Sequence, residues 1–238
     1  MSPRLIRVLP SGVTAEYVAS SMQGHNHGDG SVASYTPTHT FQSTEQDGTV
    51  YVVIGAAADN GGTQFSVSDA ALDNSLVSGG ITPDTGGQPS TGMWFYKPSQ
   101  AEVTAGSIDL PFTLDNGVEV MRIFTCEVLA KAASPLDDSG KATGNPSAGP
   151  ASVTTVAPNA VLVAIVAGED AGIVNLSVPT ANGFTFPLTA FDSNIAGSPI
   201  LNMGYREVTG AATYNSPTAE ISAADDGAVV ALIALGGE

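Results

Sequence analysis

The sequence predicts an all-β protein, and three observations predict it. Short runs of β-branched and aromatic residues recur along the 238 residues, and turn-forming clusters such as DNGG separate them. Gly (27) and Pro (15) are plentiful while charged residues make up 13% of the chain, which disfavours long surface helices. Runs such as VLVAIVA and AVVALIAL are continuously apolar, as is typical of central strands in a two-sheet sandwich.

The first 40 residues are predicted to form an extended N-terminal arm and loop outside the main core. They carry all three histidines and two of the four arginines, and they show little sustained periodicity. LIRVLP fits one short extended segment, and SGVTAEYVASS fits a turn or two of helix.

Residues 41–238 are predicted to form one antiparallel, jelly-roll-like β-sandwich domain. The halves 49–130 and 151–235 each hold five or six strands, so they are either the two sheets of one jelly roll or two small sandwiches. A single domain is favoured because neither half has a flexible-looking linker at both ends. The predicted strands include TVYVVIGAAA, GMWFYKP, VEVMRIFTCEVLA, NAVLVAIVAG, ILNMGYREV and GAVVALIAL.

Charge and cysteine content exclude several function classes. Seven basic residues against 23 acidic ones give a formal net charge of −16, which opposes binding to nucleic acid and to anionic membrane surfaces. Cys126 is the one cysteine and lies in an apolar run, where a small buried hydrophobe is expected. The N-terminus has no apolar stretch of signal-peptide length, so synthesis in a cytoplasm is expected.

The segment MQGHNHGDGS raises the question of a metal site. His25 and His27 are two residues apart, which places them on one side of an extended strand, and Asp29 follows. With Asp29 and the distant His39 a transition-metal site can be drawn, and a metal-dependent hydrolase would require a metal held by His25 and His27. The surrounding glycines favour a contact loop instead, and no cofactor is expected.

The aromatic run at Trp94, Phe95 and Tyr96 has two interpretations. In an alternating strand, Trp94 and Tyr96 share one face and Phe95 takes the other. Core packing is the default for one of these faces. If Trp94 and Tyr96 point outward, they mark a glycan site or an interface hot spot.

Over residues 49–236 the order of several segments resembles a jelly-roll-like module of bacteriophage virion structural proteins. The segments are MWFYKP, VMRIFTCEVLAKAASPLDDSG, ASVTTVAPNAVLVAIVAG, YREVTGAATYNS and GAVVALIAL. The resemblance implies a non-enzymatic virion component: a capsid decoration or cement protein, or a tail or spike protein. The resemblance implies no catalytic residues for this sequence.

The sequence therefore predicts a decoration protein on the particle exterior that binds the major capsid protein or other virion proteins. Contact would be made by a sandwich edge and by an unusually apolar arm. A homo-oligomer is expected, and the symmetry of capsid sites suggests a trimer. The alternative is a glycan- or receptor-binding module of a tail or spike. The arm residues predicted to bind the partner are Arg4, Leu5, Ile6, Arg7, Val8 and Leu9.

Overall fold

The computed structural model confirms the predicted all-β class. It describes residues 5–7, 13, 15–27, 32–45, 50–58, 65–67, 90–118, 120–131, 135–144, 146–168, 176–190, 199–221 and 227–236. Within these residues there are 21 strands and one helix. The helix is α1 (Gln100–Ala105). The strands are β1 (Leu5–Arg7), β2 (Ala15–Tyr17), β3 (Gln23–His27), β4 (Val32–Tyr35), β5 (Thr38–Thr40), β6 (Ser43–Glu45), β7 (Val50–Ala58), β8 (Phe65–Val67), β9 (Ser90–Tyr96), β10 (Ser107–Asp109), β11 (Phe112–Val118), β12 (Met121–Ala130), β13 (Leu136–Gly144), β14 (Ser147–Ala148), β15 (Ser152–Thr154), β16 (Asn159–Gly168), β17 (Leu176–Ser177), β18 (Ile200–Thr209), β19 (Thr213–Asn215), β20 (Ala219–Ile221) and β21 (Ala228–Gly236).

The first half of the chain forms one two-layer unit. Its large sheet has the order β2–β12–β7–β9, with β3 also paired to β12. Its outer layer consists of the small sheets β4–β11–β8 and β10–β5. A jelly roll has eight strands in two facing sheets. In one sheet the strand order is first, eighth, third and sixth. In the facing sheet the second, seventh and fourth strands are neighbours in that order. The two sheets of the first unit have these strand orders. The described residues of this unit include no strand that corresponds to the fifth strand of a jelly roll.

The second half repeats the same order. Its large sheet is β13–β21–β16–β18, and its outer layer consists of β14–β20–β17 and β15–β19. Each strand thus has a counterpart in the first unit, from β13 for the first strand to β21 for the last. Of the two layouts that the sequence left open, these pairings correspond to two small sandwiches. That residues 41–238 form a single domain stays a prediction.

The two units pack through their large sheets. One apolar core joins them, and its members from both large sheets include Val53, Phe95, Val163, Leu201 and Ile233. A second cluster lies between the large and outer sheets of the first unit, and two further clusters do the same in the second unit. The large sheets are therefore covered on both faces. This explains why β7, β12 and β21 are buried along their whole length and β16 from its second residue onward. It also explains the long apolar runs in β7, β16 and β21.

At the centre of the shared core, equivalent positions carry very different residues. Gly55 lies between Met93 and Phe124 in the first large sheet. Ile165 lies between Met203 and Ala231 in the second. A Cβ added at Gly55 would be 2.7 Å from the Cε atom of Met203 and still closer to the Cγ2 atom of Ile165. The side chain of Ile165 thus fills the space that Gly55 leaves open.

The prediction that residues 1–40 lie outside the core needs a correction. Strands β2 and β3 pair with β12 and extend the first large sheet, and Tyr17 and Met22 are buried in the shared core. Strand β5 pairs with β10 in the outer layer. These strands have three to five residues each, which is too short for a sequence periodicity to stand out. Strand β1 pairs in parallel with β6.

Helix α1 is short, and local capping defines its two ends. The Ser99 side chain accepts a hydrogen bond from the backbone of Glu102, whose carboxylate accepts one from the Ser99 backbone. Gly106 ends the helix in the left-handed conformation. No helix in the described ranges has both the length and the apolar character that crossing a bilayer requires.

Candidate functional site

A polar cluster lies inside the first unit, on the face of β12 that points toward the outer sheets. Thr125 and Glu127 project from this face between Ile123 and Leu129, and all four side chains are buried. A buried carboxylate is costly unless hydrogen bonds compensate it. We call the set Ser21, His25, His39, Ser43, Thr125 and Glu127 the His39 cluster.

Glu127 is the centre of this cluster. Its Oε1 atom accepts a hydrogen bond from the backbone N–H of Gln42 at 2.6 Å. Its Oε2 atom accepts bonds from the backbone N–H of Ser43 at 3.1 Å and from the Ser43 hydroxyl at 2.6 Å. The backbone N–H of Glu127 donates to the hydroxyl oxygen of Ser21 at 2.9 Å. The carboxylate therefore fixes the chain between β5 and β6 against β12.

His39 bridges Glu127 and Thr125. Its Nε2 atom lies 3.3 Å from Oε1 of Glu127, and its Nδ1 atom lies 2.8 Å from Oγ1 of Thr125. A carboxylate only accepts hydrogen bonds, so the Nε2 atom of a neutral His39 carries the proton. Nδ1 then has a free lone pair and accepts the hydroxyl proton of Thr125. This is the arrangement of hydroxyl, imidazole and carboxylate in which a histidine acts as a general base.

His25 approaches the same hydroxyl from β3. Its Nε2 atom is 3.3 Å from Oγ1 of Thr125. Burial, and then the charge of the neighbouring His39, lower the pKa of His25 from 6.5 to about 4. His25 is therefore neutral at physiological pH and is able to donate its Nε2–H to the Thr125 oxygen.

The metal hypothesis for His25, His27 and Asp29 finds no cluster in the described part of the chain. His25 and His27 share one face of strand β3, so this segment is a strand where a contact loop was expected. The His27 ring packs against the Tyr35 ring at 5.1 Å. Asp29 lies outside the described residues. The described side chains contain no group of three or more His, Cys, Asp or Glu residues that could hold a metal ion.

Trp94 and Tyr96 do not form an exposed platform, which corrects the glycan and hot-spot hypothesis for these residues. Their exposed fractions are 6% and 4%. Trp94 packs edge-on against Phe112 at 5.8 Å, and the Tyr96 hydroxyl donates to the Glu102 carboxylate at 2.9 Å. Phe95 lies in the shared core on the opposite face. Strand β9 is thus buried on both faces, and alternation in the sequence could not distinguish this from a one-sided strand.

Cys126 is a core residue, as predicted. It is fully buried in the shared core. Burial, and next the charge of Glu127, raise the pKa of its thiol well above the usual range. A thiol kept protonated in this way is a poor nucleophile.

The second unit has no counterpart of the cluster at its equivalent positions. Thr125 and Glu127 pair with Ile54 and Val52 of β7. In the second unit, Leu232 and Ala234 pair with the equivalent residues of β16, and both belong to an apolar cluster. The same strand order therefore folds with apolar residues at these positions, so the fold itself does not require the polar residues.

The sequence analysis missed Glu127, Thr125 and Ser43 as site residues. One signal was available: Thr125 and Glu127 lie two residues apart in a strand whose one other polar residue is Arg122, which places two polar side chains on one buried face. Their partner His39 is distant in sequence, and only the fold brings it to them. Of the predicted arm residues, Leu5, Ile6 and Arg7 form β1, whereas Arg4, Val8 and Leu9 lie outside the described residues.

Comparison with known proteins finds remote similarities among solved structures. No protein-family profile and no curated protein matches the chain. Among solved structures, one described as "Red Clover Necrotic Mosaic Virus" is 9% identical with a TM-score of 0.22, over 98% of this chain and 97% of that chain. Another, described as "X-ray structure of Melon necrotic spot virus", is 10% identical with a TM-score of 0.22, over 89% and 96%. At these TM-scores neither similarity carries an argument about this chain.

Proposed function

We propose that this chain is a non-enzymatic structural protein of a virion, and specifically a decoration or cement protein on the exterior of a bacteriophage shell. Its partner is the major capsid protein or another virion protein, and it acts as a homo-oligomer, with a trimer as the expected state. The arm and a sandwich edge make the contacts.

The observation that carries this proposal is the burial of the central strands and of the candidate catalytic side chains. The central strands of the two large sheets, β7, β12, β16 and β21, are buried on both faces. In the described residues, the one constellation with catalytic geometry has its nucleophile, base and carboxylate at 0% exposure. A protein built in this way presents edges, loops and termini to its surroundings, and it suits binding by surface area better than turnover of a substrate.

Strand addition is the mechanism we propose for the arm. The backbone of Leu5–Arg7 is extended and pairs with Ser43–Glu45 in parallel. An isolated two-stranded pair is marginal in water, so the arm is able to exchange its own β6 for an exposed strand of a neighbouring subunit. Backbone hydrogen bonds would then supply much of the affinity.

Edge strands offer the second contact. Among the described pairings, β13 has a neighbour on one side only within its sheet, namely β21. Leu136, at the start of β13, is 37% exposed, and Val156 is 77% exposed. The backbone N–H of Val156 donates to the carboxylate of Asp137, the residue after Leu136, at 2.9 Å. The charge of −16 keeps the rest of the surface soluble.

The alternative, a glycan- or receptor-binding module of a tail or spike, receives no support from Trp94 and Tyr96 because both are buried. It is distinguished from decoration by stoichiometry. Quantitative mass spectrometry of purified particles should find this chain in hundreds of copies, comparable with the shell protein. A handful of copies in multiples of three or six would move the protein to the tail or spike, and absence from particles would refute the virion proposal.

Arm deletion tests the binding mechanism. The deletion should remove residues 2–10, because β2 begins at Ala15 and belongs to the large sheet. We expect the shortened chain to fold and to lose its affinity for particles. A full-length variant with Arg4→Glu and Arg7→Glu keeps the backbone of β1, and under strand addition it should retain most of the affinity. Unchanged binding by the deletion variant would refute the role of the arm.

A further inference from the structure

The His39 cluster holds a nucleophile, a base and an orienting carboxylate that the fold does not require. The second unit places Leu232 and Ala234 at the positions of Thr125 and Glu127. Burying a carboxylate, an imidazole and a hydroxyl is unfavourable where apolar residues would also fill the space. The cluster therefore calls for an explanation beyond packing.

Thr125 has the partners of an activated hydroxyl. His39 Nδ1 lies 2.8 Å from its Oγ1 atom and is able to take the hydroxyl proton. Glu127 holds the opposite edge of the His39 ring at 3.3 Å and stabilises the imidazolium that would form. Thr125, His39 and Glu127 are all 0% exposed, so no external substrate reaches the hydroxyl. An acceptor for Thr125 must come from the chain itself.

Gln23 supplies an acceptor. It is the residue directly opposite Thr125 in the pairing of β3 with β12. Directly opposed side chains point to the same face, with Cβ atoms about 4.5–5.5 Å apart, which is within the reach of a glutamine side chain. His25, two residues further along β3 and on the same face, contacts the Thr125 hydroxyl.

The Gln23 amide is held in one orientation. Its Oε1 atom accepts a hydrogen bond from the backbone N–H of Thr40 at 2.9 Å. Its Nε2 atom donates to the backbone carbonyl of Thr40 at 2.6 Å. The first bond polarises the amide carbonyl and would stabilise an oxyanion at Oε1. Because Thr40 follows His39, the same strand positions both the base and the electrophile.

We propose that Thr125 and Gln23 form an intramolecular ester bond. The Thr125 oxygen attacks the Cδ atom of Gln23 while its proton passes to Nδ1 of His39. The tetrahedral intermediate then collapses: the bond from Cδ to Nε2 breaks, and His39 returns the proton to the leaving nitrogen. One ester bond forms, one ammonia molecule leaves, and no oxidant, reductant or co-reactant is needed.

The environment favours this reaction although an amide is a poor acyl donor in water. Two groups placed opposite each other on paired strands react as if their concentrations were very high, with effective molarities of about 10⁵ M or more in well-oriented cases. A buried ester is also protected from hydrolysis because water is excluded. The bond would tie β3 covalently to β12 at the edge of the large sheet. This inference is independent of the virion proposal, since it concerns a single self-modification of the folded chain.

The intact mass of the purified full-length chain, measured under denaturing conditions, tests the proposal. We expect a mass that falls below the sequence mass by one ammonia molecule. Fragmentation should identify a cross-linked peptide pair containing residues 23 and 125, and hydroxylamine, which cleaves esters, should separate the pair. A wild-type chain that folds and has the full sequence mass would overturn the proposal without any variant.

Matched variants assign the two reacting groups. Thr125→Val and Gln23→Ala should restore the full mass, and Thr125→Ser should keep the deficit because serine supplies the same hydroxyl. Gln42→Ala is the control for Gln23, since the Gln42 side chain also donates to the Thr40 carbonyl, at 3.5 Å, but is not opposed to Thr125. It should keep the deficit. A deficit that persists in Gln23→Ala or disappears in Gln42→Ala contradicts the assignment.

Discussion

Substitution of Gly55 by alanine tests whether the two units pack through their large sheets. The added methyl group would lie 2.7 Å from Cε of Met203 and closer to Cγ2 of Ile165, whereas carbon atoms pack best at about 3.5–4.0 Å. The sheets must therefore separate or Ile165 must leave its rotamer. Overpacking of this kind costs about 1–3 kcal/mol.

The informative experiment is a double-mutant cycle with Ile165→Ala. That substitution alone should cost about 2–5 kcal/mol because it opens a cavity in the shared core. It also removes the Cγ2 atom that blocks a methyl group at position 55, and it opens space into which the flexible end of the Met203 side chain can move. In the Ile165→Ala background, Gly55→Ala should therefore stabilise the protein by about 0.5–1 kcal/mol, the usual advantage of alanine over glycine within a strand. The sign of the effect changes between the two backgrounds.

Urea unfolding of the four proteins measures this coupling from midpoints at constant slope. Gly210→Ala is the control glycine: it has a φ of +89° and open space around it, so its cost of about 1–2 kcal/mol is local strain. Gly210→Ala should therefore destabilise the wild-type chain and the Ile165→Ala variant by the same amount. If Gly55→Ala destabilises both backgrounds equally, the two large sheets do not meet at this point.

Three further predictions concern the first unit. The pKa of His25 is about 4 in the folded chain and 6.5 when unfolded; its contribution to stability is therefore complete above pH 6.5 and is lost as the pH falls toward 4. For this half-buried group we expect the free energy of unfolding to fall by about 1–2 kcal/mol between pH 7 and pH 4.5. Urea midpoints at the two pH values measure this loss, which should be smaller in His25→Gln. Glu127→Ala leaves buried donors unpaired, so it should lower the free energy of unfolding by about 3 kcal/mol or more. The control Glu220→Ala, at an exposed residue, should change it by less than about 0.5 kcal/mol. Similar losses in the two variants would contradict a buried, hydrogen-bonded carboxylate at position 127. The Cys126 thiol should resist a thiol reagent in the native chain and react completely in urea, and rapid native labelling would contradict its burial.

Much of the strand content could be predicted because local pattern determines it. VLVAIVA and AVVALIAL are apolar on both faces, and they are central strands covered on both sides. The duplicated strand order could not be predicted in the same way, because it depends on pairings between distant segments such as β2 with β12. The burial of Trp94 on one face of β9 and of Phe95 on the other could not be predicted for the same reason. The sequence of one strand does not show which segments cover its two faces.

The candidate site was less predictable than the fold. The histidines attracted attention as a group because His25 and His27 are neighbours in sequence. The structure instead joins His25 and His39 through Thr125, and the carboxylate comes from Glu127 in the middle of a core strand. Polar residues of this kind are conspicuous only when their strand is known to be buried, because a half-exposed strand would carry the same residues on its solvent face.

The repeated strand order has a consequence for symmetry. Two identical jelly-roll chains related by a two-fold axis would have to place the same residue at both equivalent positions of their shared core. Joining the two units in one chain removes that constraint, which is why a glycine at position 55 can face an isoleucine at position 165. The same freedom extends to the outer faces: one unit carries the His39 cluster and the other an apolar core. A molecule with two different ends has a polarity, so it is able to sit on a surface in one orientation only.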